Sequence, residues 1–285
     1  TEADLNSLRR DYIDRARDLG LSVFFNTTVT AANYDALSGL VQFFAEHSDV
    51  VRLCSFQLGA ATGRGIGCRP LITPTSVQRT IEAALRTPLN FDAAGSGPLA
   101  CNRYAYAVII NGKAYDLFAD SGFVREMLAA TAHLYFDRTS VRRALGTFLK
   151  FLLTRPSLLW GASTRTAQFA WRARADLIAA RGRIRKLSFF IHSFMDAGAL
   201  DRQRIAACSF MIMTPDGPLS MCLHNAKRDD YLLRPTVIRA SGVLKYWDPT
   251  NGTLVDRMPR DIKVRLTRKN ARGRAKFAIA QDPTL

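Results

Sequence analysis

Apolar positions in the first ninety residues alternate between helical and strand spacing. Leu5 to Leu19 reads as a charged amphipathic helix closed by Gly20, a residue suited to the left-handed backbone that ends helices. Leu21 to Thr28 (LSVFFNTT) is an apolar run of strand length, rich in β-favouring residues. Asn33 is the expected cap of a helix reaching about His47, with Leu37, Leu40, Val41 and Phe44 at helical spacing. Val50 to Leu58 (VVRLCSFQL) is the next predicted strand, followed by the glycine-rich stretch GAATGRGIG. Thr75 is the expected cap of a helix from Ser76 to about Arg86. This alternation predicts parallel βα units, in which ligands bind at the carboxyl ends of the strands.

After Pro88 the pattern changes. Tyr104 to Ile110, Asn111-Gly112, and Lys113 to Phe118 form a predicted hairpin, because Asn-Gly favours a type I′ turn. Phe123 to about Arg181 reads as almost wholly helical, interrupted near Arg155-Pro156 and Gly161. Leu187 to Phe194 (LSFFIHSF) is a predicted strand, and a short helix from Asp201 to Ala207 leads into a second hairpin. A basic, poorly periodic tail begins near Arg257. No internal repeat or low-complexity segment is present.

Composition narrows the classes. With 285 residues and 48% apolar content, the chain can bury one large core or two modest ones. No run of eighteen or more uncharged apolar residues occurs, so no membrane-spanning helix is predicted. Forty basic against 24 acidic residues give a formal charge of +16. That excess favours polyanionic partners such as nucleic acid, anionic lipid headgroups or phosphorylated substrates. The charge is spread out rather than blocked, so arginines solvating helix faces account for it equally well. The chain starts at Thr1 with no signal sequence following, as expected of a processed N-terminus or of a piece of a longer protein.

Five cysteines (Cys54, Cys68, Cys101, Cys208 and Cys222) are too few and too odd for a secreted disulfide framework. No C-x-x-C occurs, which excludes zinc ribbons and thioredoxin motifs, and the four histidines form no H-E-x-x-H. In CSFMIMTPDGPLSMCLHN the turn residues Pro215-Asp216-Gly217 sit at the centre, with Cys208 and Cys222 seven residues to either side of Pro215. Residues equidistant from a hairpin turn tend to be opposed, with Cβ atoms about 4.5–5.5 Å apart. Such a pair suits two thiolates on one iron–sulfur cluster. It also permits a cross-strand disulfide or two inert buried thiols, and metal is the expected role. Cys101 lies in the small-residue stretch GSGPLACNRY, where backbone amides can approach a negatively charged cluster. Cys101, Cys208 and Cys222 form the expected ligand set, with Cys68 of GRGIGCRP as the fourth, while Cys54 is expected in the core.

The N-terminal segment LGLSVFFNTTVTAANYDALSGLVQFFAEHSDVVRLCSFQLGAATGRG resembles the later half of a radical SAM barrel. The nearer likeness is to the subgroup that includes the archaeal tetraether lipid synthase and its bacterial relatives. There a strand ending N-F-Q-P leads to a T-G-R loop, and SFQLGAATGRG is the corresponding stretch here. The distal segment SFFIHSFMDAGALDRQRIAACSFMIMTPDGPLSMCLHN resembles that subgroup's F-x-D…D-x-x-R-x-x-x-C…TPDG…P-x-C-x-x-N signature. Spacing is kept across Asp196, Asp201, Arg204, Cys208, the TPDG turn, Cys222 and Asn225. The likeness covers about half of the chain, and the central helices at 120–185 take no part in it.

What the resemblance implies is an α/β chain with a partial radical SAM (β/α)6 TIM-like barrel, followed by an α+β domain holding an auxiliary [4Fe–4S] cluster. The barrel half would occupy residues 1–98 and the cluster domain 99–285, with a helical insert at 120–185. The family cleaves S-adenosylmethionine reductively, and the 5′-deoxyadenosyl radical abstracts hydrogen, in the tetraether enzyme from a lipid chain whose carbon then joins another. By position, Asn26, Thr28, Gln57 and Arg64 would border S-adenosylmethionine. The C-x-x-x-C-x-x-C triplet of the radical-generating cluster is absent from the sequence and would lie before these strands. The chain alone is therefore expected not to cleave S-adenosylmethionine. Expected partners are a small-molecule or lipid substrate, an electron donor and an anionic membrane surface, at a cytoplasmic or peripheral membrane location. Two other readings stay open: a basic nucleic-acid-binding protein, which lacks a helix-turn-helix or aromatic–basic motif, and a radical SAM peptide maturase.

Overall fold

The computed structural model describes residues 2–61, 72–95, 97–137, 139–240, 242–260, 264–266 and 277–279. The chain divides into two compact units, one made of Thr1–Gly59 with Pro70–Ser193, the other of Ala60–Arg69 with Phe194–Leu285. The expected boundary at 98 falls inside the first unit.

The first unit contains α1 (Leu5–Asp18), β1 (Val23–Val29), α2 (Leu37–Glu46), β2 (Val51–Leu58), α3 (Pro74–Leu85), β3 (Asn102–Ile110), β4 (Lys113–Asp116), α4 (Ser121–Thr131), α5 (Val141–Leu153), α6 (Pro156–Arg172), α7 (Arg174–Ala179) and β5 (Arg185–Ser193). Local signals set most of these bounds. The α1 helix ends where Gly20 takes φ +67°, with Gly20 N–H bonded to Arg17 O and Leu21 N–H to Ala16 O, the paired bonds of a glycine-terminated helix. Asn33 does not cap α2 with its side chain. Its Oδ1 instead accepts from Thr30 N–H at 2.8 Å and its Nδ2 donates to Thr28 O, and a single 3-10 turn at Tyr34–Ala36 precedes α2. Thr73, not Thr75, caps α3: it accepts from Ser76 N–H while Ser76 Oγ accepts from Thr73 N–H, with Pro74 opening the helix.

The five strands form one open mixed sheet in the order β1-β2-β5-β3-β4. β1, β2 and β5 run parallel, and β3 pairs antiparallel with both β5 and β4. Asn111 (φ +50°) and Gly112 (φ +77°) make the β3–β4 turn with the left-handed backbone expected of Asn-Gly. β5 lies at the centre of the sheet, and Leu187–Ile191 is buried at every position, as suits a strand covered on both faces. No closed barrel occurs among the described residues, and the protein is a mixed α/β fold.

One sheet face carries the main core. Cys54, Phe56, Leu58, Phe189 and Ile191 pack with Ile13 of α1, Leu40, Val41 and Phe44 of α2, and Val77 and Ile81 of α3. At the β3–β4 end of the opposite face, Val108 and Ile110 pack with Ala173, Ala180, Phe169 and Leu177. Asp176 of α7 fastens this corner by accepting from Asn111 Nδ2, Lys113 Nζ and Tyr115 Oη at 3.0, 3.1 and 2.5 Å. A third cluster, around Phe151, Leu152 and Leu158, holds α4, α5 and α6 together.

The second unit holds α8 (Arg202–Ala206), β6 (Met211–Thr214), β7 (Gly217–Ser220), α9 (Met221–Ala226), α10 (Arg228–Tyr231), β8 (Thr236–Ala240), β9 (Val243–Asp248), β10 (Thr253–Val255), β11 (Val264–Leu266) and β12 (Phe277–Ile279). β6 and β7 form a two-stranded ribbon, β8, β9 and β10 a three-stranded antiparallel sheet, and β11 and β12 a further pair. Asp201 caps α8 through Arg204 N–H, and Ser220 caps α9 through Leu223 N–H. No helix among the described residues is long and apolar enough to cross a membrane.

Candidate functional site

Successive side chains on a strand point to opposite faces, so register alone decides which residues share a surface. Thr28 pairs with Gln57, Gln57 with His192, and His192 with Asn102. These four therefore form one polar row across β1, β2, β5 and β3, on the face opposite the main core. With strands about 4.8 Å apart, the row is roughly 14 Å long. It lies at the carboxyl ends of the three parallel strands, where ligands of such sheets bind. The next row toward the strand starts is Asn26, Ser55, Phe190 and Tyr104.

The row is graded in burial. Asn26 and Thr28 on the edge strand are exposed, Gln57 is half-buried, and Ser55, His192 and Asn102 are buried. The Tyr104 and Phe190 rings stack with centroids 4.4 Å apart and planes 17° from parallel, and the His192 ring lies 5.4 Å from Phe190. Burial, with a smaller contribution from Tyr106, raises the Tyr104 phenol above its ordinary pKa and keeps it protonated. The two rows thus combine two hydroxyls, three carboxamides, an imidazole and an aromatic stack. They can hydrogen-bond and stack a neutral heterocycle, and neither row carries a carboxylate.

Three of the four residues expected near S-adenosylmethionine (Asn26, Thr28 and Gln57) therefore lie together, while Arg64 lies outside the described residues. Sequence reading assigned no part to His192 or Asn102. The available signal was a lone histidine inside the apolar strand LSFFIHSF and a polar residue next to Cys101 at the start of β3.

The cysteines distribute between the two units. Cys54 is fully buried in β2, and burial pushes its thiol pKa well up, which makes it an inert core residue. Cys101 lies just before β3 in the first unit, and its carbonyl accepts from Ser193 N–H at 2.8 Å. Cys208 and Cys222 belong to the second unit, and Cys68 lies outside the described residues. Cys54, Cys101, Cys208 and Cys222 are thiols, not halves of a disulfide.

The ribbon corrects the expected pairing of Cys208 with Cys222. Its register is Met211 with Ser220 and Thr214 with Gly217, leaving Pro215-Asp216 as a two-residue turn. The centre therefore falls after Pro215, and Cys222 lies in the first turn of α9 rather than on a strand. Both cysteines nevertheless flank the same end of the ribbon, which Met221 N–H extends by bonding to Phe210 O at 2.9 Å. Cys208 Sγ donates to Phe210 O at 3.2 Å, and the buried Cys222 Sγ accepts from Met195 N–H at 3.4 Å. An amide aimed at sulfur is what steadies a thiolate ligand. Asp196, of the distal signature, accepts from Ala61 N–H at 2.6 Å and so ties the segment at Ala61 to this unit.

Among the described residues no group of three or more His, Cys, Asp or Glu side chains gathers as a metal site. Cys208 and Cys222 alone amount to half of a four-thiolate ligand set. His224 Nδ1 is buried without a hydrogen-bond partner, and burial, aided by Arg228, lowers its pKa. It follows Cys222 by two positions on a helix, and residues so spaced do not face each other. No protein-family model matches the chain, and no curated protein matches it.

Proposed function

We propose that this chain is part of a radical SAM iron–sulfur enzyme that abstracts hydrogen from an unactivated carbon, with a lipid chain as a candidate substrate. The observation that carries the reading is the polar row Thr28–Gln57–His192–Asn102 at the carboxyl ends of three parallel strands. In this reading β1, β2 and β5 are a stretch of partial-barrel wall whose inner face is the polar one. The adenosyl group of S-adenosylmethionine has a planar base and a ribose. The Tyr104–Phe190 stack and the neutral donors and acceptors beside it suit both. Asn26, Thr28 and Gln57 would orient the cosubstrate, and His192 joins them as a hydrogen-bonding group.

Cys208 and Cys222 would take two ligand positions of an auxiliary [4Fe–4S] cluster, and Met195 N–H would stabilise the Cys222 thiolate. In this reading the electron that cleaves S-adenosylmethionine would come from a separate cluster, whose C-x-x-x-C-x-x-C ligands this sequence does not contain. The protein's own part is to hold the nucleoside, exclude water and place the substrate carbon.

The nucleoside site is tested by saturation-transfer NMR with S-adenosylmethionine, a method sensitive to millimolar binding. Transfer strongest to the adenine protons is expected, together with its loss in Gln57→Ala and His192→Ala variants that keep the wild-type circular dichroism. No transfer to the wild-type chain, or equal transfer to both variants, would remove this face as the site.

A further inference from the structure

The helical segment between β4 and β5 carries an unusual surface. α5 buries Phe151 and Leu152 in the cluster it shares with α4 and α6, yet its outer side is also apolar. Val141, Leu145, Leu149 and Leu153 recur every fourth residue and are 76, 62, 54 and 63% exposed. At 3.6 residues per turn they form one slowly winding stripe. On α6, Trp160 and Trp171 are 73 and 69% exposed. Eleven residues separate them, which is close to three whole turns, so both rings project from the same side of that helix.

Positive charge predominates around these faces, although Asp137 pairs with Arg143 and Asp120 with Arg165. Between Thr139 and Arg174 the sequence has no acidic residue and six basic ones, Arg142, Arg143, Lys150, Arg155, Arg165 and Arg172. Arg142, Arg143 and Lys150 are exposed beside the α5 stripe, and Arg172 is exposed beside Trp171. Exposed leucines in line are costly in water and gain nothing against nucleic acid phosphates. Apolar stripes edged with Lys and Arg, together with tryptophan, are the pattern of helices that lie in the plane of a bilayer.

We infer that α5 and α6 dock this protein on an anionic lipid bilayer, with the Val141–Leu153 stripe and the two tryptophans entering the headgroup–acyl boundary and the flanking cations meeting lipid phosphates. The inference goes beyond the enzyme reading and does not depend on it, because bilayer contact needs neither iron nor S-adenosylmethionine.

The test is flotation of the metal-free chain with phosphatidylglycerol–phosphatidylcholine vesicles, compared with pure phosphatidylcholine. Binding to the anionic vesicles that weakens as salt is added is expected, with tryptophan emission moving to shorter wavelength. Leu145→Asp/Leu149→Asp should lower the partition coefficient at least tenfold, and Trp160→Ser should remove part of the emission shift. All three positions are exposed, so an unchanged circular dichroism spectrum and thermal midpoint are expected of both variants. Failure of the wild-type chain to float would overturn the proposal, as would equal binding by Leu145→Asp/Leu149→Asp. Salt-sensitive binding to RNA without vesicle binding, or a dimer abolished by the same double variant without vesicle binding, would assign the face to those partners instead.

Discussion

Replacing Phe44 with alanine tests how the edge of the sheet is held. Among the described residues β1 pairs with β2 alone, so its attachment depends largely on the side chains beneath it. Phe44 of α2 is fully buried, stacks on Phe25 of β1 with centroids 4.9 Å apart, and meets Phe43 edge-on at 5.9 Å. Phe→Ala in such a core costs about 3–5 kcal/mol, of which the lost aromatic pair accounts for about 0.5–1.5. Against a typical domain stability of about 5–15 kcal/mol, that is a large share. Phe44→Leu keeps much of the volume and should cost about half as much or less. Urea unfolding gives the totals, and amide exchange shows where the loss falls. Exchange through global unfolding should accelerate at least about a hundredfold in Phe44→Ala, since each 1.4 kcal/mol is about tenfold, and Val23–Val29 amides should in addition open in a smaller unit of their own at low denaturant. Those of β5, in the sheet centre, should show only the global change. An unfolding free energy within about 1 kcal/mol of wild type, or Val23–Val29 amides that exchange only through global unfolding at every denaturant concentration, would refute this account of the edge strand.

Gly161→Ala and Gly146→Ala should act in opposite directions. A Cβ on Gly161 would meet Phe123 Cε2 at 2.7 Å, a ring already held under the Arg165 guanidinium at 4.1 Å. Overpacking of about 1–3 kcal/mol then opposes a helix-propensity gain of about 1, so its thermal midpoint should not rise and is expected to fall. Gly146 has nothing within 4 Å of the added carbon, so its midpoint should rise, and a reversed order by calorimetry would contradict the packing. Asp176 has its pKa lowered to about 2 from 3.8, first by the Tyr115 hydroxyl and then by Asn111 and Lys113. Between those values the unfolded chain binds the extra proton, so the carboxylate's stabilisation is complete above about pH 4 and fades as pH falls toward 2. Asp176→Asn should flatten the stability–pH curve in that window, and an unchanged slope in acid titrations would count against the triple hydrogen bond.

Much of the fold could be read from local sequence because local chemistry decided it. Asn111-Gly112 needs positive φ at both positions, which made the β3–β4 hairpin readable, and Gly20 marked the end of α1 for the same reason. Choices among near-equivalent caps were less readable. Thr73 and Thr75 flank the same Pro74, and only the reciprocal bond with Ser76 selects Thr73. Asn33 was diverted by backbone groups of Thr28 and Thr30, which turn geometry supplies. The insertion of β5 between β2 and β3 depends on pairing across more than seventy residues and has no local signature. That insertion brings His192 beside Gln57, so two of the candidate residues were visible on their own strands while their partner was not. The ribbon register moved by one position because Gly217 pairs with Thr214, enough to carry Cys222 from the predicted strand into α9.

Metal content tests the proposed iron–sulfur enzyme most directly. The chain is reconstituted anaerobically with iron and sulfide, desalted and analysed for both elements beside Cys208→Ala, Cys222→Ala and Cys54→Ala. Stoichiometric iron and sulfide in the wild type and in Cys54→Ala are expected, with a marked loss of both in Cys208→Ala and Cys222→Ala. Iron at background in the wild type, or undiminished in both ligand variants, would contradict the proposal.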